Sequence, residues 1–332
     1  MNHKTIPIFV PHMGCPNDCS FCNQRKITGV TELTPEDADM QILTALSTIP
    51  DDVDCVEIGF FGGSFTGIDK KIQEEFLTVA KKYKDRGIVH AIRLSTRPDY
   101  INDEILDMLK SFGVVTVELG AQSMNDRVLA QNHRGHTSED TIKASRLIKS
   151  KGIRLGLQMM TGLYGDDDRT CLESLEKIVA LRPDCVRIYP TLVLKGTHLD
   201  ELYQSKKYIP QTLDEAILLV AELKKRLDTE NIPVIRIGLM ASDNINPDAD
   251  VVAGPYHPSM GELVQSELYY RQIADAIDGD AVIFVNPKDI SAFVGNKKKN
   301  IQRIKELGYD VSFRNDENVK LGQYKILRKE QR

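Results

Sequence analysis

Two rhythms of apolar residues take turns along the first part of the chain. Short apolar runs at residues 5–10, 55–61, 88–94, 114–119, 153–159 and 185–189 are rich in β-branched side chains and read as strands. Between them the apolar positions recur three and four apart, as on one face of a helix. Pro35 after Thr34 opens a capped helix over 35–48. Further helices are expected at 70–84, 102–112 and 137–150, with one more between the fifth and sixth strands. Strand and helix thus alternate six times in about 190 residues.

That alternation demands right-handed crossovers and a parallel sheet in an α/β fold. Six units suggest a partial (β/α)6 barrel rather than a closed barrel of eight, although the count alone does not separate this from a flat doubly wound sheet. Either way, chemistry belongs at the C-terminal ends of the strands. A helix is expected at 212–229. Beyond residue 231 the rhythm changes. A strand at 233–237, a loop rich in Asn, Asp and Pro at 243–258, a helix at 261–277 and a strand at 281–285 lead to a basic helical stretch. Two short strands follow near 310–313 and 323–327. The expected division is a core at 1–231 and a smaller C-terminal α+β extension at 232–332.

A chain of 332 residues, 41% hydrophobic, suits one large domain with an appendage. Its formal charge of −5 argues against a protein coated along its length by a polyanion, though a local basic patch is compatible. No apolar run reaches the ~18 residues of a membrane span, and the N-terminus lacks a signal-peptide pattern. Six Cys without regular pairing fit a reducing, cytoplasmic setting. Cys55, Cys171 and Cys185 lie in apolar contexts and read as buried small side chains.

The other three carry chemistry. Cys15, Cys19 and Cys22 are spaced C-x3-C-x2-C, so one short loop can hold three corners of a [4Fe–4S] cube and leave the fourth iron open. A zinc site would need a fourth Cys or His, for which His12 is the nearby candidate. The loop resembles the signature of radical S-adenosylmethionine (SAM) enzymes. The resemblance implies a partial barrel and cofactors of one [4Fe–4S] cluster and SAM. It implies that the open iron chelates SAM, and that Phe21, just before the third Cys, packs near the adenine.

Strand ends supply the other candidates. Gly62-Gly63-Ser64 closes the second strand, where paired glycines let a backbone approach a ligand; the resemblance assigns this run to the SAM amino group. Ser95 follows the third strand, where many relatives carry an acidic residue for the SAM ribose; a hydroxyl can bond a ribose but cannot accept from both of its hydroxyls. In related enzymes the residues matching Gln122, at the end of strand four, and Arg134, twelve positions on, contact SAM; a guanidinium suits its carboxylate. Gln158 matches a polar position set against the ribose or amino group. Met159 and Met160 read as core filler. Tyr189 could face the substrate, and Lys195 reads as a solvated loop residue. Glu118, mid-strand, needs a partner if buried, for which Arg93 and Arg154 are candidates.

The runs at 61–67, 95–100, 117–123, 134–137 and 188–193 are similar to those of the Elongator catalytic-subunit group, which modifies wobble uridine in tRNA using acetyl-coenzyme A. About a hundred residues follow the core, too few for the acetyltransferase domain of that group; no Gly-x-Gly coenzyme A loop is visible, and no Cys follows Cys185. Features are also shared with oxygen-independent coproporphyrinogen oxidases. Near the end, Gly295 and Lys297–Lys299 resemble the GxxG loop of KH modules, with Lys298 in place of the second Gly. The expected activity is reductive cleavage of SAM to a 5′-deoxyadenosyl radical that modifies a nucleoside in RNA. The expected partners are a reductant protein such as flavodoxin or ferredoxin and an RNA substrate. Turnover of a small metabolite or tetrapyrrole, or a non-catalytic role in binding SAM and a cluster, are the alternatives.

Overall fold

A computed structural model describes residues 3–10, 19–23, 33–50, 52–239 and 245–329. The chain divides into two units, residues 1–212 with 227–256, and residues 213–226 with 257–332.

The first unit is built on a seven-stranded sheet in the order β1-β2-β3-β4-β5-β6-β8. These are β1 (His3–Val10), β2 (Cys55–Gly62), β3 (Ala91–Thr96), β4 (Val114–Gln122), β5 (Arg154–Thr161), β6 (Cys185–Pro190) and β8 (Val234–Ile237). Every neighbouring pair is parallel. The sheet runs in chain order and does not close, which makes it the expected partial barrel. Its helices include α1 (Pro35–Leu46), α2 (Lys70–Asp85), α3 (Asp103–Ser111), α4 (Asp126–Gln131), α5 (Ser138–Ser150), α6 (Asp168–Ala180) and α7 (His198–Gln204). The Thr34 start signal holds: its hydroxyl accepts from the Asp37 amide, and the Asp37 carboxylate accepts from the Thr34 amide in return.

Period-two alternation decides what each strand shows to which side. On β1, Ile6, Ile8 and Val10 are buried in the core, whereas Thr5, Pro7 and Phe9 line a cavity. The boundary expected at residue 231 is displaced. The strand read as the start of the extension is β8, which pairs with β6 and extends the main sheet. Most of α8 (Leu213–Thr229) counts with the second unit instead. A four-residue strand carries no label of the sheet it will join, so local pattern could not assign it. The short pair β7 (Val193–Leu194) and β9 (Val251–Ala253) was also not anticipated.

The second unit holds α9 (Met260–Ala276), β10 (Ala281–Val285), α10 (Ile290–Val294), α11 (Lys299–Glu306), β11 (Val311–Asn315) and β12 (Tyr324–Arg328). β10 is central, parallel to β11 and antiparallel to β12. Its core gathers Tyr269, Ile273, Ile283, Phe293 and Ile304. The rings of Tyr269 and Phe293 stack with centroids 3.7 Å apart.

Candidate functional site

One cavity of about 560 Å³ opens among the strands of the first unit. Cys19, Cys22, Phe21, Gly62, Gly63 and Ser64 line it, and so do Ser95, Gln122, Arg134 and Gln158. Every described residue expected to hold the cluster or SAM therefore borders the same space. Cys15, and His12 with it, lie outside the described residues.

The cysteine loop is anchored through Ser20. Its amide donates to the Asn132 carbonyl at 3.1 Å, its hydroxyl donates to Asn132 Oδ1 at 2.6 Å, and its carbonyl accepts from the Leu199 amide at 2.7 Å. Asn132 is itself held, donating from Nδ2 to the carbonyls of Val128 and Tyr164. The amide of Cys22 donates to the carbonyl of Cys19 at 3.0 Å, folding the loop so that both thiols border the cavity. Phe21 packs beside Val193, Leu199 and Tyr208.

At the end of β4 the register shifts between Gly120 and Gln122, and Gln122 takes a left-handed φ of 64°. A non-glycine residue held there costs of order 1 kcal/mol or more, and such strain clusters at functional sites. Gln122 Oε1 accepts from Gln158 Nε2 at 3.2 Å. The Arg134 guanidinium crosses the same point. Its Nη2 donates to the Gly120 carbonyl at 2.7 Å, and Nη1 lies 3.5 Å from Cys19 Sγ. A Cβ at Gly120 would sit 2.8 Å from Arg134 Nη2 and 3.0 Å from Gln122 Nε2, so glycine is what lets the two side chains converge. Arg134 Nε is buried without a partner among the described residues. The Ser95 hydroxyl makes no hydrogen bond among them either, although Ser95 borders the cavity.

Ser64 behaves differently. Its hydroxyl is 2.8 Å from Thr96 Oγ1 and accepts from the Arg97 amide at 3.2 Å. Thr96 also bonds Thr66 Oγ1 at 2.6 Å. This buried hydroxyl cluster ties the ends of β2 and β3 together, which leaves the Ser64 side chain a holding function. Behind the site His136 is buried, with Nε2 3.3 Å from the Ala121 carbonyl and Nδ1 unpartnered. Burial, then the Arg134 and Arg97 charges, push its pKa down to about 4, so the ring is neutral near pH 7.

Earlier along the strands lies a layer of paired charges. Arg93 Nε is 3.0 Å from Glu118 Oε1, and Arg93 Nη1 is 3.4 Å from Glu57 Oε2. Arg187 takes the other side of Glu118 through both Nε and Nη2. Burial works against the Arg187 charge, and Glu118 outweighs it, so its pKa lies above the ordinary value. The guanidinium also stands 5.1 Å from the Phe61 ring centroid. Of the two partners anticipated for Glu118, Arg93 fits and the exposed Arg154 does not pair with it. Arg187 was missed, because nothing in a strand-end run reveals which way its side chain turns. Asn132, Thr96 and Gly120 left no local signal either. Tyr189 lines the cavity, Lys195 is exposed, and Cys171 and Cys185 are buried while Cys55 is half-buried.

A parallel half-barrel whose strand ends gather thiols, a buried arginine with an unpaired N–H and a glycine-bordered cavity can hold a thiolate-bound group beside a polar ligand. Comparison with known proteins gives the class. The sequence profile of the Radical SAM superfamily matches residues 9–178, and that of the Radical_SAM C-terminal domain matches residues 183–270. The chain belongs to the radical SAM superfamily, an enzyme family whose cofactors are a [4Fe–4S] cluster and SAM. Its relatives are Elongator-like. A tRNA uridine(34) acetyltransferase of Methanocaldococcus jannaschii is 31% identical over 204 residues, covering 60% of this chain and 36% of that protein. Elongator complex protein 3 of Homo sapiens is 29% identical over 191 residues, covering 52% of this chain and 35% of that protein. The chain thus spans about a third of the length of these relatives. A solved structure of Methanocaldococcus infernus Elp3 lacking its N-terminus shares the fold. It has a TM-score of 0.65 and 23% identity, and the match covers 83% of this chain and 63% of that one. Among the described residues no helix is long and apolar enough to cross a membrane.

The donor set fits the family's cofactors. Soft thiolates suit iron–sulfur ligation. The unpartnered Arg134 Nε and the open Ser95 hydroxyl are polar groups that an additional ligand would satisfy.

Proposed function

We propose that this chain cleaves SAM reductively at a [4Fe–4S] cluster held by Cys15, Cys19 and Cys22 and modifies a nucleoside in tRNA. The observation that carries the reading is convergence: two described cysteines and eight polar, glycine or aromatic residues from the Cys loop, the ends of β2 to β5 and the turn after α4 border one cavity. When bound, the cluster and SAM supply one-electron scission of a carbon–sulfur bond and a 5′-deoxyadenosyl radical for hydrogen abstraction.

The chain's own residues bind, orient and exclude water. Cys19 and Cys22 present sulfur from a loop clamped by Asn132. Arg134, fixed on the Gly120 carbonyl, offers a further N–H to the SAM carboxylate. Gly62 and Gly63 give backbone groups to the SAM amino end, with Ser64 fixing the turn. Ser95, Gln122 and Gln158 supply hydroxyl and amide contacts to the ribose side, and Phe21 an apolar surface for the adenine. Met160, Leu192 and Leu194 line the cavity with apolar surface that excludes water from a reactive intermediate. The tRNA target is supported by the likeness to the tRNA uridine(34) acetyltransferases. A flavodoxin- or ferredoxin-type reductant and a cytoplasmic setting complete the reading.

The test is anaerobic reconstitution with iron and sulfide, then dithionite and SAM, with and without total tRNA. Wild type should form 5′-deoxyadenosine, and Cys19→Ala should fall to background. Equal product from both proteins, or none from a cluster-loaded wild type with tRNA present, overturns the proposal.

A further inference from the structure

We propose that the turn joining α10 to α11 in the second unit is a contact site for the sugar–phosphate backbone of single-stranded RNA. It deepens, and rests on, the reading of an RNA substrate. The argument starts from charge. Residues 288–305 carry six basic residues and one acidic residue in a chain whose net charge is −5. From Lys297 to Lys305 five cations occur, and three are paired: Lys299 with Asp214 at 2.8 Å, Arg303 with Glu267, and Lys305 with Asp310 at 3.6 Å. Lys297 and Lys298 are exposed and have no carboxylate partner among the described residues. A surface that neutralises its surroundings and leaves two adjacent ammonium groups open is arranged for an external anion.

The turn is also fixed rather than slack. Gly295 has φ 78°, and a Cβ there would meet Asn300 Cγ at 3.0 Å and Asn300 N at 3.1 Å. Asn300, 2% exposed, donates from Nδ2 to the carbonyls of Phe293 and Ser266 at 3.0 Å each, bracing the end of α10 against α9. Lys297 and Lys298 follow at φ 50° and 63°, which projects two ammonium stems from a braced base. α10 and α11 both adjoin β11, an edge strand of the three-stranded sheet, whose outer side has no strand partner among the described residues. The open charge is small, enough for about two phosphates, which suits a single strand rather than the wide footprint of a duplex.

The experiment uses the full chain with its cluster reconstituted. Anisotropy of a labelled twelve-nucleotide oligouridine, and of a duplex of equal length, is followed across roughly 50 to 200 mM salt. Lys297→Ala with Lys298→Ala is compared with wild type and with Lys224→Ala with Lys225→Ala, the same charge change on α8. The turn variant should bind the single strand about tenfold more weakly. Its log–log salt slope should be shallower by about 1.4, from two contacts at about 0.7 each. The α8 variant should keep the wild-type slope.

Unchanged affinity and slope in the turn variant, an equal loss in the α8 variant, equal wild-type affinity for duplex and single strand, or no wild-type binding each overturns the proposal. 5′-Deoxyadenosine formation without RNA, assayed on the same preparations, separates the two readings. If it persists while the binding result is negative, only the turn is excluded; if the wild type makes none even with tRNA, the reading of the first unit itself fails.

Discussion

Two polar regions share one cavity wall and are built on opposite terms. In the layer of Glu57, Arg93, Glu118 and Arg187 every charge faces an opposite charge, and Glu57 meets His3 as well at 2.9 Å. Two residues further along β3, four further along β4 and in the turn after α4, the polar groups are left incomplete. Arg134 Nε has no partner among the described residues, the Ser95 hydroxyl makes no hydrogen bond there, and Gln122 is held at a strained φ. A buried polar group that is satisfied within the chain stabilises a fold; one left open costs free energy that a ligand recovers. Arg93 Nε also lacks a well-aligned hydrogen bond but still faces the Glu118 carboxylate at 3.0 Å, whereas Arg134 pairs with no carboxylate among the described residues. The layer closed by charge pairs therefore reads as structure and the open one as a binding surface.

The largest effect should come from breaking the closed layer. Glu118→Ala leaves the half-buried Arg187 without its carboxylate, and Arg93 with Glu57 as its one carboxylate. Removing one partner from a buried pair typically costs about 3–5 kcal/mol, to be read from urea unfolding. Adding Arg187→Met to Glu118→Ala removes the stranded cation and should restore most of that loss. A cost below about 1 kcal/mol for Glu118→Ala would break the comparison, since the layer would then be no more structural than a surface pair.

The next effect is set by acid. His136 titrates at about 4 in the fold, below its ordinary value of 6.5. As pH falls, the unfolded chain takes the proton first, so stability is fully present above pH 6.5 and drains away down to about pH 4. The shift corresponds to about 3 kcal/mol. His136→Asn should flatten the wild-type dependence of Tm on pH across that window. Parallel curves for the two proteins would mean that the ring is not buried neutral behind Arg134.

How much of this was readable without coordinates differs between the two regions. The strand-end residues could be picked out because three close cysteines resemble a known signature and the runs around them match it in register; paired glycines or a Gln after a strand would not have marked them alone. The crossovers were equally visible because strand and helix periods differ. Glu118 was recognisably in need of a partner, but Arg187 lies 69 residues away and two strands over, a distance that periodicity does not bridge. Asn132 is hidden for the same reason, its 112-residue link to Ser20 being purely tertiary. The displaced unit boundary has another cause. β8 was correctly expected as a strand, yet its membership was decided by the open edge of β6, which is a property of the whole sheet.

The smallest effect sharpens the open side of the comparison. Gly120→Ala adds one methyl where Arg134 Nη2 and Gln122 Nε2 lie within 2.8 and 3.0 Å. Both neighbours are ends of flexible side chains, and the backbone nearest the new carbon is the Thr96 carbonyl at 3.8 Å, an ordinary contact. The chain should fold, but the guanidinium and the amide must each shift by some tenths of an ångström. If those groups read SAM, its affinity should fall about tenfold, equivalent to about 1.4 kcal/mol, with the melting temperature nearly unchanged. Isothermal titration with SAM on the reconstituted protein measures the first and calorimetry the second. A drop in Tm without a drop in affinity would place Gly120 with the closed layer, because the methyl would then disturb packing and leave the binding groups where they were.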